Sequence, residues 1–379
     1  MDDAGECVRI LYFTRAFSPH DERFLNSLAD TEHEIHYLPL LDGGSHDQGG
    51  RLNQDVKVHP SLIAAPTFSW LRYARAVREL RARINEIKPD LVHAGPIHLS
   101  STITALTGFH PLASMSWGSD LLWETRKAWV ALAVRYALQR SDVFIGDCQA
   151  VKSAAIEFRM NDERIVLFPW GIDLDHFRPG NGDSIRQALG WEDAFILLST
   201  RSFEPLYGVD LILQAFIMLA PEIPSLRLLI LGGGSQESTF KECINQAGLQ
   251  HRAHFAGHLG KEELPDYYRA SDLYLSASYS DGSSVSLLEA MGCGLPVLVS
   301  DIPGNCEWVE VGQNGWRFKT GDVESLVEGI RRSLEFKGEL KQIGNAGRKV
   351  VEARADWHKN IPKLLEAYQI AREHAKRAA

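Results

Sequence analysis

Along the whole chain, short runs of Val, Ile and Leu alternate with longer stretches of helical period, and that alternation leaves few folds open. Strand-like runs fall at Val8–Phe13, Glu34–Leu38, Leu91–Ala94, Leu112–Ser116, Val143–Gly146 and Ile165–Pro169. Between them, helical patterns occupy Trp70–Lys88, Thr125–Ser141 and Gln149–Arg159. Strands of this apolar kind, separated by helices, predict parallel sheets covered by helices on both faces. The second half repeats the theme with strands at Phe195–Thr200, Leu226–Leu231, Leu273–Ser276 and Pro296–Ser300. Helices are expected there at Val209–Leu219, Ser238–Ala247, Lys261–Ala270 and Val285–Met291. The halves are alike in architecture only, because no short-period repeat runs through them.

A chain of 379 residues suits two domains, each able to bury its own core. Pro and Gly punctuate the segment from Pro169 to Gly180 as they do a linker. The expected division is therefore residues 1–170, residues 171–355, and residues 356–379. The last is a helix (Trp357–Ala378) that packs back on the N-terminal domain. The fold class is α/β, with two Rossmann-like domains facing across an interdomain cleft. Ligands of such sheets bind at the carboxyl ends of the strands. The net charge of −9 argues against nucleic acid as the main partner. The five cysteines are odd in number and form no C-x-x-C pair, which fits a reducing compartment and leaves no zinc site by spacing. Met1–Glu6 is acidic and lacks the pattern of a signal peptide, and no apolar run approaches the roughly 20 residues that cross a bilayer. A cytoplasmic protein is expected.

The densest chemistry lies between Ser280 and Val297. A strand leads into a small polar loop, and the loop opens a helix, where free N–H groups and the positive end of the helix dipole are presented. Gly282, Ser283 and Ser284 are small enough to let backbone approach a diphosphate. Asp281 before the turn and Glu289 inside the helix can each accept hydrogen bonds from sugar hydroxyls. The plainer reading makes Ser283 or Ser284 a helix cap and Glu289 a solvated carboxylate.

This stretch resembles the retaining glycosyltransferases of family four, which have the GT-B fold. Their signature is an acid, seven residues, Glu, then Ala-Met and Gly-x-Pro-Val; here it reads Asp281, Glu289, Ala290-Met291 and Gly294-Leu295-Pro296-Val297. The first acid is Asp where Glu is more usual. Gly171-Ile172-Asp173 with Phe177-Arg178-Pro179 looks like the family's interdomain segment. The run from Arg201 to Leu211 looks like its phosphate clamp, and His254-Phe255-Ala256-Gly257-His258 like the strand and turn that hold the base. The clamp departs from the pattern at Tyr207, where the family usually has Lys. Either another basic residue supplies the second cation, or the Tyr207 hydroxyl gives a neutral hydrogen bond. Arg201 could alternatively be a surface ion pair with Glu204 or Asp210.

The N-terminal half matches more loosely. The segment Arg15–Phe24, with Ser18 and His20, stands where members have a Gly-rich loop; it could shape an acceptor pocket or simply cap a helix. Asp90–His98 resembles the strand end that carries an active-site histidine. Many members have His-x-His, but Gly95 takes the second place, so His93 and His98 both remain candidates. Ser116–Asp120 falls where members carry His-Gly-x-Asp, and Trp117 could stack on a sugar or pack in the core. The helix from Trp70 to Lys88 carries Arg72, Arg75, Arg78, Arg81, Arg83 and Lys88 opposite an apolar stripe of Leu71, Ala74, Val77, Leu80, Ile84 and Ile87. Phe68, Trp70 and Tyr73 add aromatics at its start. That helix could touch an anionic membrane surface, on the inner face, or be a solvated charged face.

The resemblance implies a retaining transfer from a nucleotide diphosphate sugar, a UDP-sugar by preference, to a hydroxyl acceptor, lipid-linked or saccharide. It implies Asp281, Arg201 and His93 as catalytic residues. Glu289, Gly282, Ser283, Ser284, Val285, His258, Leu259 and Tyr207 would bind the donor. Ser18, His20, His98 and Trp117 would face the acceptor. No metal and no cofactor are implied, and no Asp-x-Asp pattern stands out. The competing readings are an epimerase or hydrolase of nucleotide sugars, a two-lobed binding protein, and a nicotinamide-dependent oxidoreductase. The last needs a glycine at 237, where Glu237 stands.

Overall fold

The computed structural model describes residues 7–42, 52–63 and 70–378, except for the side chains of residues 70–72 and 378. Contacts divide the chain into two units, Met1–Phe168 with Ile361–Ala379, and Pro169–Asn360.

In the first unit the strands are β1 (Arg9–Thr14), β2 (Glu34–Pro39), β3 (Lys57–Val58), β4 (Leu91–Gly95), β5 (Leu112–Met115), β6 (Val143–Gly146) and β7 (Ile165–Leu167). They form one sheet in the order β3-β2-β1-β4-β5-β6-β7, parallel throughout. Ile10, Leu11, Tyr12 and Phe13 are all buried, so β1 meets helices on both faces, as a continuous apolar run must. The helix Pro362–Ala378 packs along β4 to β7. Its buried Leu364, Ala367, Tyr368 and Ala371 recur at the helical period. The Tyr368 hydroxyl is hydrogen-bonded to His93 Nδ1 at 2.6 Å. His374 Nδ1 donates to one oxygen of the buried Asp142 and His110 Nδ1 to the other, each at 2.8 Å.

The second unit contains β8 (Phe195–Ser199), β9 (Leu226–Leu231), β10 (Ala253–Gly257), β11 (Leu273–Ser276), β12 (Val297–Ser300) and β13 (Gly315–Phe318). Their order is β10-β9-β8-β11-β12-β13, again all parallel. Both sheets therefore wind outward from a central strand, one way and then the other. The reversal falls between β1 and β4 in one and between β8 and β11 in the other, which opens a crevice at the carboxyl ends. Backbone bonds from Ile172 N to the Ala355 carbonyl, and from Trp357 N to the Ile172 carbonyl, tie together the two ends of the second unit.

Several expected elements differ. The helix expected over Thr125–Ser141 breaks at Lys127, after a short turn at Glu124–Arg126 in which Arg126 covers the Trp123 ring, and resumes at Ala128–Arg140. The helix expected over Trp357–Ala378 divides into Trp357–Asn360 and Pro362–Ala378, since Pro362 can start a helix but not continue one. Along Trp70–Ile87 the buried residues are Ala76, Leu80, Ile84 and Ile87, and Ala74 is exposed. Arg75 pairs with Glu79 and Arg83 with Glu86. Arg81 binds the carbonyls of Leu106 and Thr107. Phe68, the segment Met1–Glu6 and the side chains of Trp70, Leu71 and Arg72 lie outside the described residues. No helix among the described residues is long and apolar enough to cross a membrane.

Candidate functional site

In the second unit, three loops leave the carboxyl ends of β8, β9 and β11 and are bonded to one another. Phe203 N donates to the Gly233 carbonyl at 2.9 Å, and Gln236 N donates back to the Phe203 carbonyl at 3.1 Å. Tyr279 N donates to the Leu206 carbonyl at 2.9 Å. Gly208 closes the first loop at φ +60°, where a Cβ would overlap the Ala277 carbonyl, so no other residue fits there without moving β11's end.

Arg201 stands at the centre of these loops, two residues beyond β8. Its Nη2 donates to Asp281 Oδ2 at 2.6 Å, and its Nη1 to Ser284 Oγ at 2.7 Å and Ser286 Oγ at 3.0 Å. The guanidinium carbon lies 4.2 Å from the centroid of the Tyr207 ring. The Arg201 side chain is only 11% exposed, and Asp281 beside it keeps the cation charged against the cost of burial. The alternative ion pairs of Arg201 are not formed. Glu204 instead accepts from the backbone N and the hydroxyl of Ser235. Tyr207 meets Arg201 with the face of its ring.

The helix Val285–Gly292 begins just beyond. Ser284 occupies its N-cap position, but its side chain makes no cap bond and accepts from Arg201 instead. Ser283 Oγ accepts from the Trp308 indole at 3.2 Å, and Gly282 is buried. Val285 is half-buried at the helix start, packed against the core. Glu289, half-buried, accepts from the Tyr268 hydroxyl at 2.8 Å. The Tyr274 hydroxyl and Ser286 Oγ are 2.8 Å apart. A continuous polar network thus runs from Asp281 through Arg201, Ser284 and Ser286 to Tyr274. Sequence alone did not single out Ser286, Tyr268 or Tyr274. Ser286 follows Ser284 by two residues and was legible as a second hydroxyl at the helix start; the tyrosines come from other elements and carry no local signal. At the end of β10, His258 is exposed and Leu259 half-buried. A Cβ on Gly233 would come 2.9 Å from His258 Nε2, so the bare glycine gives that ring its place.

The first unit gathers its candidates at the carboxyl ends of β1, β4 and β5. The rings of His20 and Trp117 lie 5.4 Å apart. Asp120, fully enclosed, accepts from the Ser116 hydroxyl, from Trp117 N and from Ile97 N, and so clamps the loop after β5 to the one after β4. Gly95 explains the missing second histidine: a Cβ there would sit 2.9 Å from the Trp117 indole nitrogen, so the indole fills that space. His93 requires a correction. Its ring is buried at 0% exposure and bonded to Tyr368, and burial lowers its pKa to about 3, so it is a neutral core residue and cannot touch a ligand from where it stands. His98 is half-buried, and burial lowers its pKa against the pull of Asp120. Ser18 is the N-cap of the helix Pro19–Ala29, the plainer of the two readings of that segment, and its hydroxyl donates to Asp21 Oδ2 at 2.6 Å. Asp21 is enclosed with Tyr12, Thr14 and Tyr37 beside it, and burial raises its carboxyl to about 7. Among the described residues no three His, Cys, Asp or Glu side chains come together as a metal-binding set.

Two family models match the chain, and together they run over most of it. "Glycosyl transferases group 1" matches residues 181–350, and "Glycosyl transferase 4-like" matches residues 9–149. Among curated proteins, the chain is 30% identical over 226 residues to D-inositol 3-phosphate glycosyltransferase of Rhodococcus erythropolis, covering 55% of this chain and 49% of that protein. The chain thus spans about half the length of the first curated relatives it matches. It is 22% identical to the GDP-mannose-dependent alpha-(1-6)-phosphatidylinositol monomannoside mannosyltransferase of Mycolicibacterium smegmatis, over 93% of this chain and 94% of that one. Among solved structures, Anabaena HepE in complex with UDP-glucose superposes with a TM-score of 0.79 at 20% identity, covering 96% of this chain and 99% of that one. That likeness is one of fold.

Proposed function

The chain belongs to the glycosyl transferases group 1, with two Rossmann-like units of the GT-B kind, and from that premise we propose that it moves a sugar from a nucleotide diphosphate sugar to a hydroxyl acceptor. The observation that carries this reading is Arg201, a buried cation fixed at the β8–β11 crevice among the hydroxyls of Ser284 and Ser286. A preorganised guanidinium in a dry site stabilises charge that develops on a leaving diphosphate. Its forked donors match phosphate oxygens. The backbone of Ser283 and Ser284 would add N–H donors, while the Gly282 N–H already bonds Asp281 Oδ1 at 3.0 Å. Asp281 would hold donor-sugar hydroxyls, and Glu289 would accept from the ribose. His258 and Leu259 would border the base. His20, His98 and Trp117 would serve the acceptor, a saccharide or a lipid-linked alcohol. The transfer would retain anomeric configuration by same-face attack, the acceptor's proton passing to the leaving phosphate, with no metal and no covalent enzyme intermediate.

Uridine is the base we propose, in line with the UDP-glucose in the similar HepE structure. Guanosine is the second reading, favoured by the GDP-mannose in the name of the Mycolicibacterium relative. Thermal unfolding of wild type and Glu289→Ala with UDP, GDP, ADP and NAD tests both. A nucleotide at 100 times its dissociation constant adds about 2.7 kcal/mol to native stability. UDP should raise the wild-type midpoint, and the substitution should abolish the rise. A response to GDP alone moves the base assignment to guanosine. A response to NAD alone, or to none of the four, removes the transferase reading.

A further inference from the structure

We infer that Tyr207 is a positioning residue of the donor site and works through the face of its ring, with its hydroxyl dispensable. This rests on the donor-site reading above. The Arg201 guanidinium is bonded along its edge, to Asp281 on one nitrogen and to Ser284 and Ser286 on the other. Those bonds hold the two terminal nitrogens, whereas Nε has no hydrogen-bond partner, so the edge contacts alone leave the plane of the cation room to rock. The guanidinium carbon lies over the Tyr207 ring, 4.2 Å from its centroid, so the ring face limits how far the cation can rock on those bonds.

The ring's own position is set by the loop and does not depend on the cation. Tyr207 N donates to the Glu204 carbonyl at 2.9 Å, the Leu206 carbonyl accepts from Tyr279, and Gly208 next in the chain is wedged against Ala277. Tyr207 also packs on the buried core of the second unit. The direction of influence therefore runs from loop to ring to guanidinium. An aromatic face suits this place for a second reason. Two carboxylates, Asp281 and Glu289, already border the site, and the ring steadies the cation without adding another anion to compete with a diphosphate. Charge at this position is thus replaced by orientation. The site relies on one well-aimed cation where the resemblance leads one to expect two.

The test compares wild type, Tyr207→Phe and Tyr207→Leu as full-length chains, by calorimetric titration with UDP, GDP, UMP and GMP and by steady-state kinetics with the matching nucleotide sugars. Phenylalanine keeps the face and should leave diphosphate affinity, KM and kcat within about twofold of wild type. Leucine removes the face and should weaken the diphosphate about tenfold, while the monophosphate changes less, so that the ratio of the two affinities falls. Should the leucine variant not fold, Tyr207→Met fills similar volume without an aromatic face and carries the same expectation. A phenylalanine variant as damaged as the leucine one assigns the role to the hydroxyl and overturns the inference. So does a leucine variant that binds as wild type does. Equal weakening of diphosphate and monophosphate, with a lowered unfolding midpoint, reduces Tyr207 to packing and overturns it too. If wild type itself binds neither UDP nor GDP, the donor-site reading falls first and this one with it.

Discussion

Asp281 and Arg201 hold each other at 2.6 Å with side chains 18% and 11% exposed, so neither is solvated well enough to stand alone. Asp281→Asn keeps the shape and removes the charge, leaving a buried guanidinium with neutral partners. Breaking such a pair costs on the order of 3 kcal/mol. The unfolding midpoint should fall accordingly. Saturating UDP or GDP should restore part of the loss, because a phosphate can take the vacated side of Arg201. The ligand-induced rise should therefore be larger in the variant than in wild type, and an equal or smaller rise would show that Arg201 does not meet phosphate. Asp21 makes a prediction in pH. Its carboxyl lies at about 7 in the folded chain, against 3.8 for an ordinary aspartate, because burial outweighs the Ser18 hydroxyl and its tyrosine and threonine neighbours. The folded state therefore binds this proton more tightly than the unfolded state does. The resulting stability is fully present below about pH 4, declines as pH rises toward 7 and is gone above it. Asp21→Asn does not titrate. Urea unfolding of both proteins from pH 4 to 8 should show wild type losing ground to the variant by up to roughly 4 kcal/mol. A difference that stays constant with pH would mean that the carboxyl titrates normally.

The helix Pro362–Ala378 is held to the first unit by its apolar stripe and by two polar ties of different depth. Tyr368 meets His93 where both are enclosed, and His93 Nε2 already has no partner, so Tyr368→Phe would leave the whole imidazole unsatisfied. That costs about 1–3 kcal/mol. His374 meets Asp142 with 39% of its side chain exposed, and His374→Ala should cost less than about 1 kcal/mol. Chemical denaturation of the two variants should rank them in that order; the reverse would place the main tie at Asp142. Elements of this kind show what a sequence discloses. β6, β9 and β11 and the helix Val209–Leu219 were legible to the residue, because strands buried on both faces are unbroken apolar runs and long helices keep their period. β3 was not, since two exposed residues at a sheet edge, Lys57 and Val58, carry no pattern. β13 was not, since Gly315-Trp316-Arg317-Phe318 is too short a run to carry a period of its own and is defined by its pairing with β12. Among site residues, Asp281, Ser284 and Glu289 stood out because they lie beside loop and helix signals, and Arg201 only through the likeness of its segment to a phosphate clamp. The assignment of His93 as a ligand-facing group was lost to a tyrosine 275 residues away. Tyr207 was noticed for the lysine it replaces, but its place beneath the Arg201 guanidinium depends on the path of a loop, which spacing does not encode.

Both sheets repeat the order of a doubly wound fold, and this was legible only as alternation, because the neighbours of a parallel strand are set by crossovers and not by its own residues. The two units differ in how the chain builds them. The first is discontinuous, closed by the helix that follows residue 360, whereas the second is one uninterrupted stretch, Pro169–Asn360. Every hydrogen bond in the network of Asp281, Arg201, Ser284, Ser286, Tyr274, Tyr268 and Glu289 is made within that stretch. So are the backbone bonds that join Ile172 to Ala355 and Trp357. A fragment of residues 169–360 should therefore fold by itself, with a single cooperative thermal transition, and should bind the same nucleoside diphosphate as the full chain. A fragment of residues 1–168 lacks the helix that covers β4 to β7 and leaves the His93 and Asp142 ties open, so it should unfold more easily than the same fragment mixed with a peptide of residues 361–379. Circular dichroism melting of the three samples, with a nucleotide titration of the first, reads both expectations. If residues 169–360 melt without cooperativity, the second unit depends on the first for its stability. If they melt cooperatively but bind no diphosphate, the donor site needs groups that residues 169–360 do not contain, and the role given to Arg201 would have to be shared with the other unit.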